Sequence, residues 1–249
     1  MNYHWNWSIF FDVSPDGVHT YLQTLLIGAG WTLATSACAF VIALAAGSLV
    51  GVARTVPSVW AARLGEAYVE LFRNVPLLVQ MFLWFFVLPE VVPREFGNWL
   101  KQLPNASFYT AVVALGLYMS ARIAEQVRAG IASLPRGQRL AALALGLTLP
   151  QAYIYVLLPM AYRMLLPPLT SELLNTIKNS AVALTIGLVE LTASARAMQE
   201  FSFQVFEAFT AATVLYIVIN MIVTFAMRAL ENRVAVPGYF SSKPQAPEQ

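Results

Sequence analysis

From Thr24 to Val52 the chain runs without a charged residue, and this stretch limits what the protein can fold into. A helix needs about 20 apolar residues to cross ~30 Å of hydrocarbon at 1.5 Å per residue, so the stretch is long enough to span a bilayer at a tilt. Four more apolar segments follow: Val75 to Leu88, Gln102 to Ala121, Leu165 to Val189 and Ala208 to Met227. Hydrophobic residues make up 58% of the chain against 11% charged, where soluble domains average about 25% charged. The expected fold class is an all-α membrane protein with five transmembrane helices.

The connections carry their own signals. Gly47 and Gly51, four residues apart in the first span, allow another helix to approach closely. Arg63 to Arg73 is amphipathic and predicts a helix in the interface that leads into the second span near Pro76. Pro89 to Pro104 reads as an exposed loop with a short helical piece, and Pro104 delays the third helix. Asn105-Ala106-Ser107 matches a glycosylation acceptor by accident of a short pattern. The single cysteine, Cys38, excludes an intrachain disulfide and is expected to pack within a span. His4 and His19 have no ligand partners at metal spacing. No cleavable signal is evident in the first residues, whose Tyr3, Trp5, Trp7, Phe10 and Phe11 suit an interfacial anchor or an aromatic tail. Val236 to Phe240 is expected to end the last helix, and Ser241 to Gln249 to be disordered.

Orientation follows from the positive charges, which cytoplasmic loops retain. With the amino end outside, the inner side holds Arg54, Arg63, Arg73, Arg122, Arg128, Arg136, Arg139, Arg163, Arg228, Arg233 and Lys243. The outer side holds Arg94, Lys101 and Arg196; eleven, three and the intramembrane Lys178 account for all 15.

Polar residues inside the spans mark the chemistry. The fourth span places Glu172, Asn175, Lys178, Asn179 and Ser180 in an apolar helix, where each charge costs roughly 2.5–3.5 kcal/mol and therefore faces protein or water. Two readings stand: a polar stripe along a permeation path, or an interhelical network in which Glu172 or Glu125 neutralises Lys178. Arg122, Glu125 and Arg128, spaced i, i+3 and i+6, predict an ion-paired clamp near the inner surface. Gln80 projects either into the path or to a neighbouring helix.

Between the third and fourth spans lies GQRLAALALGLTLPQAYIYVLLP, too apolar for an ordinary loop yet broken by Gly146 and Pro150. It is predicted to form a helical turn, a break at Pro150 and a second helix re-entering the membrane near Pro159. It resembles the loop of bacterial ABC-importer permeases written EAA, three residues, Gly, nine residues, Ile, one residue, Leu-Pro. Ala141, Ala142, Gly146, Val156, Leu158 and Pro159 stand at those offsets, while Leu140 replaces the usual glutamate. With ELFRNVPLLVQMFLWFFVLP and LNTIKNSAVALTIGLVELT, the chain resembles the polar amino-acid subgroup of these permeases, and within it a glutamate/aspartate permease subunit.

That resemblance implies a type I ABC-importer permease fold, amino end periplasmic and carboxyl end cytoplasmic, in the bacterial inner membrane. It divides the chain into a periplasmic segment 1–23, a transmembrane domain 24–232 with coupling loop 136–159, and a tail 233–249. The implied partners are an ABC ATPase dimer, an identical or sister permease, a periplasmic solute-binding protein, the bilayer and a polar amino acid. No cofactor is expected in this chain, and ATP is used by the partner, since no GxxxxGK[ST] loop occurs. The implied docking residues are Arg136, Arg139, Leu140, Ala141, Ala142 and Gly146. For the substrate path they are Glu172, Asn175, Lys178, Asn179 and Ser180. The alternative is a secondary amino-acid transporter driven by an ion gradient, against which five unequal spans without an internal repeat argue. A membrane enzyme would need a nucleophile with its base or a metal cluster, and no such constellation lies in the spans.

Overall fold

The computed structural model describes residues 3–234; the predicted end of the last helix at Val236 and the tail lie outside them. A 3-10 turn, Trp7–Phe11, precedes helix α1, Tyr21–Ala53. Next come α2, Val59–Asn74, and α3, Leu77–Val91, bent by 99° from α2. Then follow α4, Arg94–Gln102; α5, Ala106–Ala132; and α6, Arg136–Ala144. The chain continues through α7, Leu149–Ile186, α8, Leu191–Ser202, and α9, Val205–Val234.

Pairwise contacts fix the direction of each crossing. Trp31 meets Phe108 edge-on at 5.4 Å, Ile42 lies over Gly116, Ile123 over Gly47 and Val127 over Gly51, so α1 and α5 run parallel. Ser107 donates to the Ile186 carbonyl and Leu165 packs over Gly130, so α7 runs antiparallel to α5. Thr170 bonds Glu231, and Tyr216 bonds Glu190 just past the end of α7, which makes α9 antiparallel to α7. Two parallel neighbours, α1 and α5, require a return crossing between them, and α3 supplies it. The result is five crossings with residues 3 and 234 at opposite ends.

The α1–α5 contact is the largest between any two helices and rests on the predicted glycines. Lipid tails are as apolar as the side chains, so van der Waals fit holds such helices together rather than exclusion of water. A Cβ on Gly51 would stand 2.7 Å from both the Ala124 carbonyl oxygen and Val127 Cβ. Gly51→Val should therefore cost about 1–3 kcal/mol and lower the unfolding midpoint of the purified complex by several degrees. Gly30→Ala, with nothing within 4 Å of the added carbon, should not lower it and should raise it slightly through helix propensity. Equal midpoints for Gly51→Val and wild type would remove this contact from the packing account.

Two prolines explain two irregular turns. Pro89 and Pro159 each follow a π-turn, Leu83–Val87 and Tyr153–Leu157. A proline clashes with the carbonyl four residues back, and the wider turn relieves this without ending the helix. The bend at Pro76 exposes carbonyls at the end of α2, and Gln80 Nε2 donates to those of Phe72 and Val75, each at 2.9 Å. Gln80 is thus a staple across the bend.

Other expectations change. Cys38 lies in α1 but faces outward. The break is not at Pro150, which sits in the first turn of α7 where no backbone N–H is needed; it falls at Leu145–Thr148. The fourth span begins far before Leu165 and continues through Pro167 and Pro168. The aromatic amino segment folds back onto α9: Asn6 N–H donates to Glu207 at 2.7 Å, Tyr3 bonds the same carboxylate, and Trp5 stacks on Trp7 at 5.5 Å.

Candidate functional site

The end of the bundle away from the amino segment gathers the charges and the loop. Arg54 caps α1, and its guanidinium donates to Glu125 of α5, which also accepts from Arg128 Nε at 3.0 Å. Arg122 does not join this cluster. Its Nε and Nη2 reach Glu172 of α7 at 2.7 and 3.1 Å, and Gln126 Nε2 adds a third bond at 2.8 Å. The expected clamp therefore exists but is split: Glu125 joins α5 to α1, and Glu172 joins α5 to α7. The carboxylate of a glutamate only 4% exposed is thus satisfied by three N–H donors. Removing it in Glu172→Ala leaves the Arg122 guanidinium without its acceptor. Because that side chain is 44% exposed and rehydrates, we expect a loss of about 1–3 kcal/mol, read as a lower unfolding midpoint with insertion unchanged.

The five polar residues of the fourth span part company. Glu172 faces α5, Ser180 is buried on its own helix with its hydroxyl on the Ile177 carbonyl, and Asn179 approaches Met119 Sδ at 3.9 Å. Asn175 is half-buried, with no side-chain hydrogen bond among the described residues. Lys178 pairs with neither Glu172 nor Glu125 and has no ion-pair partner among the described residues. It opens onto a wide, mostly apolar groove of about 520 Å³ on α9, where Ile217, Met221 and Phe225 lie beside Asn220, Thr224 and a second cation, Arg228. The Asn220 side-chain oxygen in that groove has no hydrogen-bond partner.

The loop has well-defined geometry. Gly146, at φ +85°, ends α6 in a Schellman turn: its N–H reaches the Leu143 carbonyl at 3.0 Å and the Leu147 N–H the Ala142 carbonyl at 3.2 Å. Thr148 then opens α7 with its N–H and hydroxyl on Gln151 Oε1 at 2.8 and 2.9 Å. Arg136 begins α6. Arg139, Leu140 and Ala141 are exposed, as is Gly146, whereas Ala142 is buried against its own chain and supports the turn instead of facing outward. Leu140 at 60% and Leu145 at 84% exposure, with Leu143, present apolar side chains on α6 and its turn, and Ile154 and Tyr155 are exposed near the start of α7.

Sequence reasoning missed three parts of this arrangement. Leu143 and Leu145 share the exposed surface, and their mismatch with a soluble loop was the available signal. Glu190 is fully buried as the cap of α8, accepting from Thr192 and Ala193 N–H at 3.0 and 2.9 Å and from Tyr216 at 3.0 Å. The helix it starts was legible from Leu191, Ser194, Ala195 and Met198, spaced for one face.

Five crossings joined by interhelical ion pairs, with a short exposed helix between the third and fourth, describe a multi-pass membrane protein. The chain belongs to the family of binding-protein-dependent transport system inner membrane components, whose model matches residues 21–236. It is 50% identical over 246 residues to the glutamate/aspartate import permease protein GltJ of Escherichia coli (strain K12), covering 98% of this chain and 100% of that one. It is 34% identical over 236 residues to the probable glutamine ABC transporter permease protein GlnM of Bacillus subtilis (strain 168), covering 92% and 98%. A solved amino acid ABC transporter with histidines superposes at TM-score 0.73 and 30% identity, over 86% of this chain and 95% of that chain. The MetNI methionine ABC transporter, inward facing, shares the fold at TM-score 0.73 and 22% identity, over 90% of this chain and 100% of that chain. The chain is thus a multi-pass, non-catalytic subunit of the inner membrane, and ATP hydrolysis belongs to a partner.

Proposed function

We propose that this permease of an ABC amino-acid importer carries glutamate and aspartate, with its amino end periplasmic and its carboxyl end cytoplasmic. It pairs with an identical or sister permease, takes substrate from a solute-binding protein, and docks on an ATPase dimer through the loop around Gly146. The full-length likeness to GltJ carries the substrate assignment, since the likeness to the glutamine permease GlnM is weaker at 34%. Lys178 gives that assignment a physical basis. An ammonium without a carboxylate partner inside a span is costly, and a transported side-chain carboxylate would pair with it. Asn175, half-buried and without a side-chain hydrogen bond among the described residues, lies three residues from Lys178 for the rest of an amino acid; Glu172, Asn179 and Ser180 support the helix that presents them.

The exposed apolar turn supports the docking. Its residues lie at the end where the positive charges gather, which orientation rules place in the cytoplasm. Closure of the ATPase dimer would move α6, and the Schellman turn transmits that movement to α7. Because α7 continues for 38 residues, roughly 57 Å, a displacement at Leu149 reaches Lys178 and the outer end without passing another loop. Glu172 carries it sideways to α5. This is a rigid-body change between two packed states.

The test is uptake of labelled glutamate, aspartate, glutamine, histidine and arginine into vesicles holding this chain with its ATPase, second permease and binding protein. ATP-dependent uptake confined to the two acidic amino acids is expected. Preferential uptake of arginine or glutamine would overturn the substrate assignment, and uptake without ATP the energy source.

A further inference from the structure

A second cavity lies behind the docking helix. It measures about 420 Å³ and is lined by residues from the ends of α1 and α5, from α6 and from the start of α7. Arg54, Arg128 and Arg139 supply its polar side, and no carboxylate lines it among the described residues. Glu125, behind the wall, is the one acid paired with Arg54 and Arg128, while Arg139 has no ion-pair partner among the described residues. Glu66 also acts on Arg128 and shares a neighbouring recess with Arg54 and Arg128, so the positive charge left uncompensated is that of Arg139. Ile131, Leu134, Leu140 and Leu157 form the opposite, apolar side. Thr55 closes one edge, its carbonyl accepting from the Tyr153 hydroxyl at 2.8 Å. The cavity sits where α1 ends at Ala53 and α5 at Ala132, past the uncharged stretches of both helices.

We propose that this cavity binds the phosphate headgroup of an anionic phospholipid from the leaflet next to the ATPase. Guanidiniums suit phosphate oxygens because their paired N–H groups match them in geometry as well as charge. A basic recess between helix ends, past their uncharged stretches, meets a lipid phosphate without any approach through water. The apolar side favours a lipid over an acidic side chain of the ATPase: glycerol and acyl carbons cover those leucines, which a carboxylate would leave bare. Bound there, the lipid would brace α6 against the ends of α1 and α5. The inference rests on the membrane placement of the spans and not on the choice of substrate.

The test uses the complete transporter in nanodiscs of mixed phosphatidylcholine and phosphatidylglycerol, released in mild detergent and weighed by native mass spectrometry. Wild type should retain phosphatidylglycerol in preference to phosphatidylcholine. Arg139→Gln should lower that retention about five- to tenfold, Arg139→Lys should keep part of it, and Arg233→Gln, which removes an exposed charge remote from the cavity lining, should not change it. Equal retention in Arg139→Gln and wild type would overturn the proposal. So would displacement of the bound mass by inorganic phosphate with no lipid retained, which would make this a site for a free anion. Loss of the ATPase subunit from Arg139→Gln with the lipid count unchanged would assign the arginine to the protein partner instead.

Discussion

Gly146→Asp should lower ATP-driven uptake about a hundredfold while the permease still inserts and folds. The backbone at Gly146 is left-handed, at φ +85°, and aspartate tolerates that region better than most residues. Nothing stands within 4 Å of the added carbon, so the folding cost stays near 1 kcal/mol. The docking cost is larger. A carboxylate placed beside Leu143 and Leu145 has no cationic partner on this turn, and covering it with the ATPase costs about 3 kcal/mol, or a hundredfold. The measurement pairs uptake with co-purification of the ATPase. Loss of both with an unfolding midpoint lowered by only about 2–4 °C is the expected pattern; full uptake would mean that the turn does not face the ATPase.

Lys178→Ala should reduce glutamate and aspartate transport by about ten- to a hundredfold, the worth of a hydrogen bond to a charged group. Insertion should not suffer, because the change removes a charge that costs roughly 2.5–3.5 kcal/mol within the membrane. Lys178→Arg keeps the charge and should retain part of the transport. Transport assays with each acidic amino acid, normalised to protein in the membrane, decide the matter. Unchanged glutamate kinetics in Lys178→Ala would detach the groove from the substrate.

Hydropathy located the spans because every crossing must bury its backbone and meet lipid with apolar side chains. It did not locate their ends. The third span was expected to stop at Ala121 because Arg122, Glu125 and Arg128 follow, yet α5 continues to Ala132, since Glu172, Glu125 and Arg54 satisfy those charges across helices that sequence order cannot bring together. The fourth span was expected from Leu165, and α7 starts at Leu149 because prolines in a first turn or after a π-turn do not end a helix. The Gly47 and Gly51 spacing was legible, since its meaning is local; its partners Ile123 and Val127 were not. In the same way Lys178 was visible as a costly charge. That Glu172 would turn to Arg122 and leave it unpaired depends on how α5 and α7 pack.

Chemical cross-linking of the docking surface tests the coupling assignment most directly. With exposed Cys38 replaced by serine, single cysteines at Leu145 and at Trp99 of α4, which lies toward the opposite end, are treated with a thiol-to-amine cross-linker in the assembled transporter. The ATPase subunit should be captured from Leu145→Cys and not from Trp99→Cys. Capture from Trp99→Cys, or from neither while the ATPase still co-purifies, would place the ATPase elsewhere and contradict coupling through the Gly146 turn.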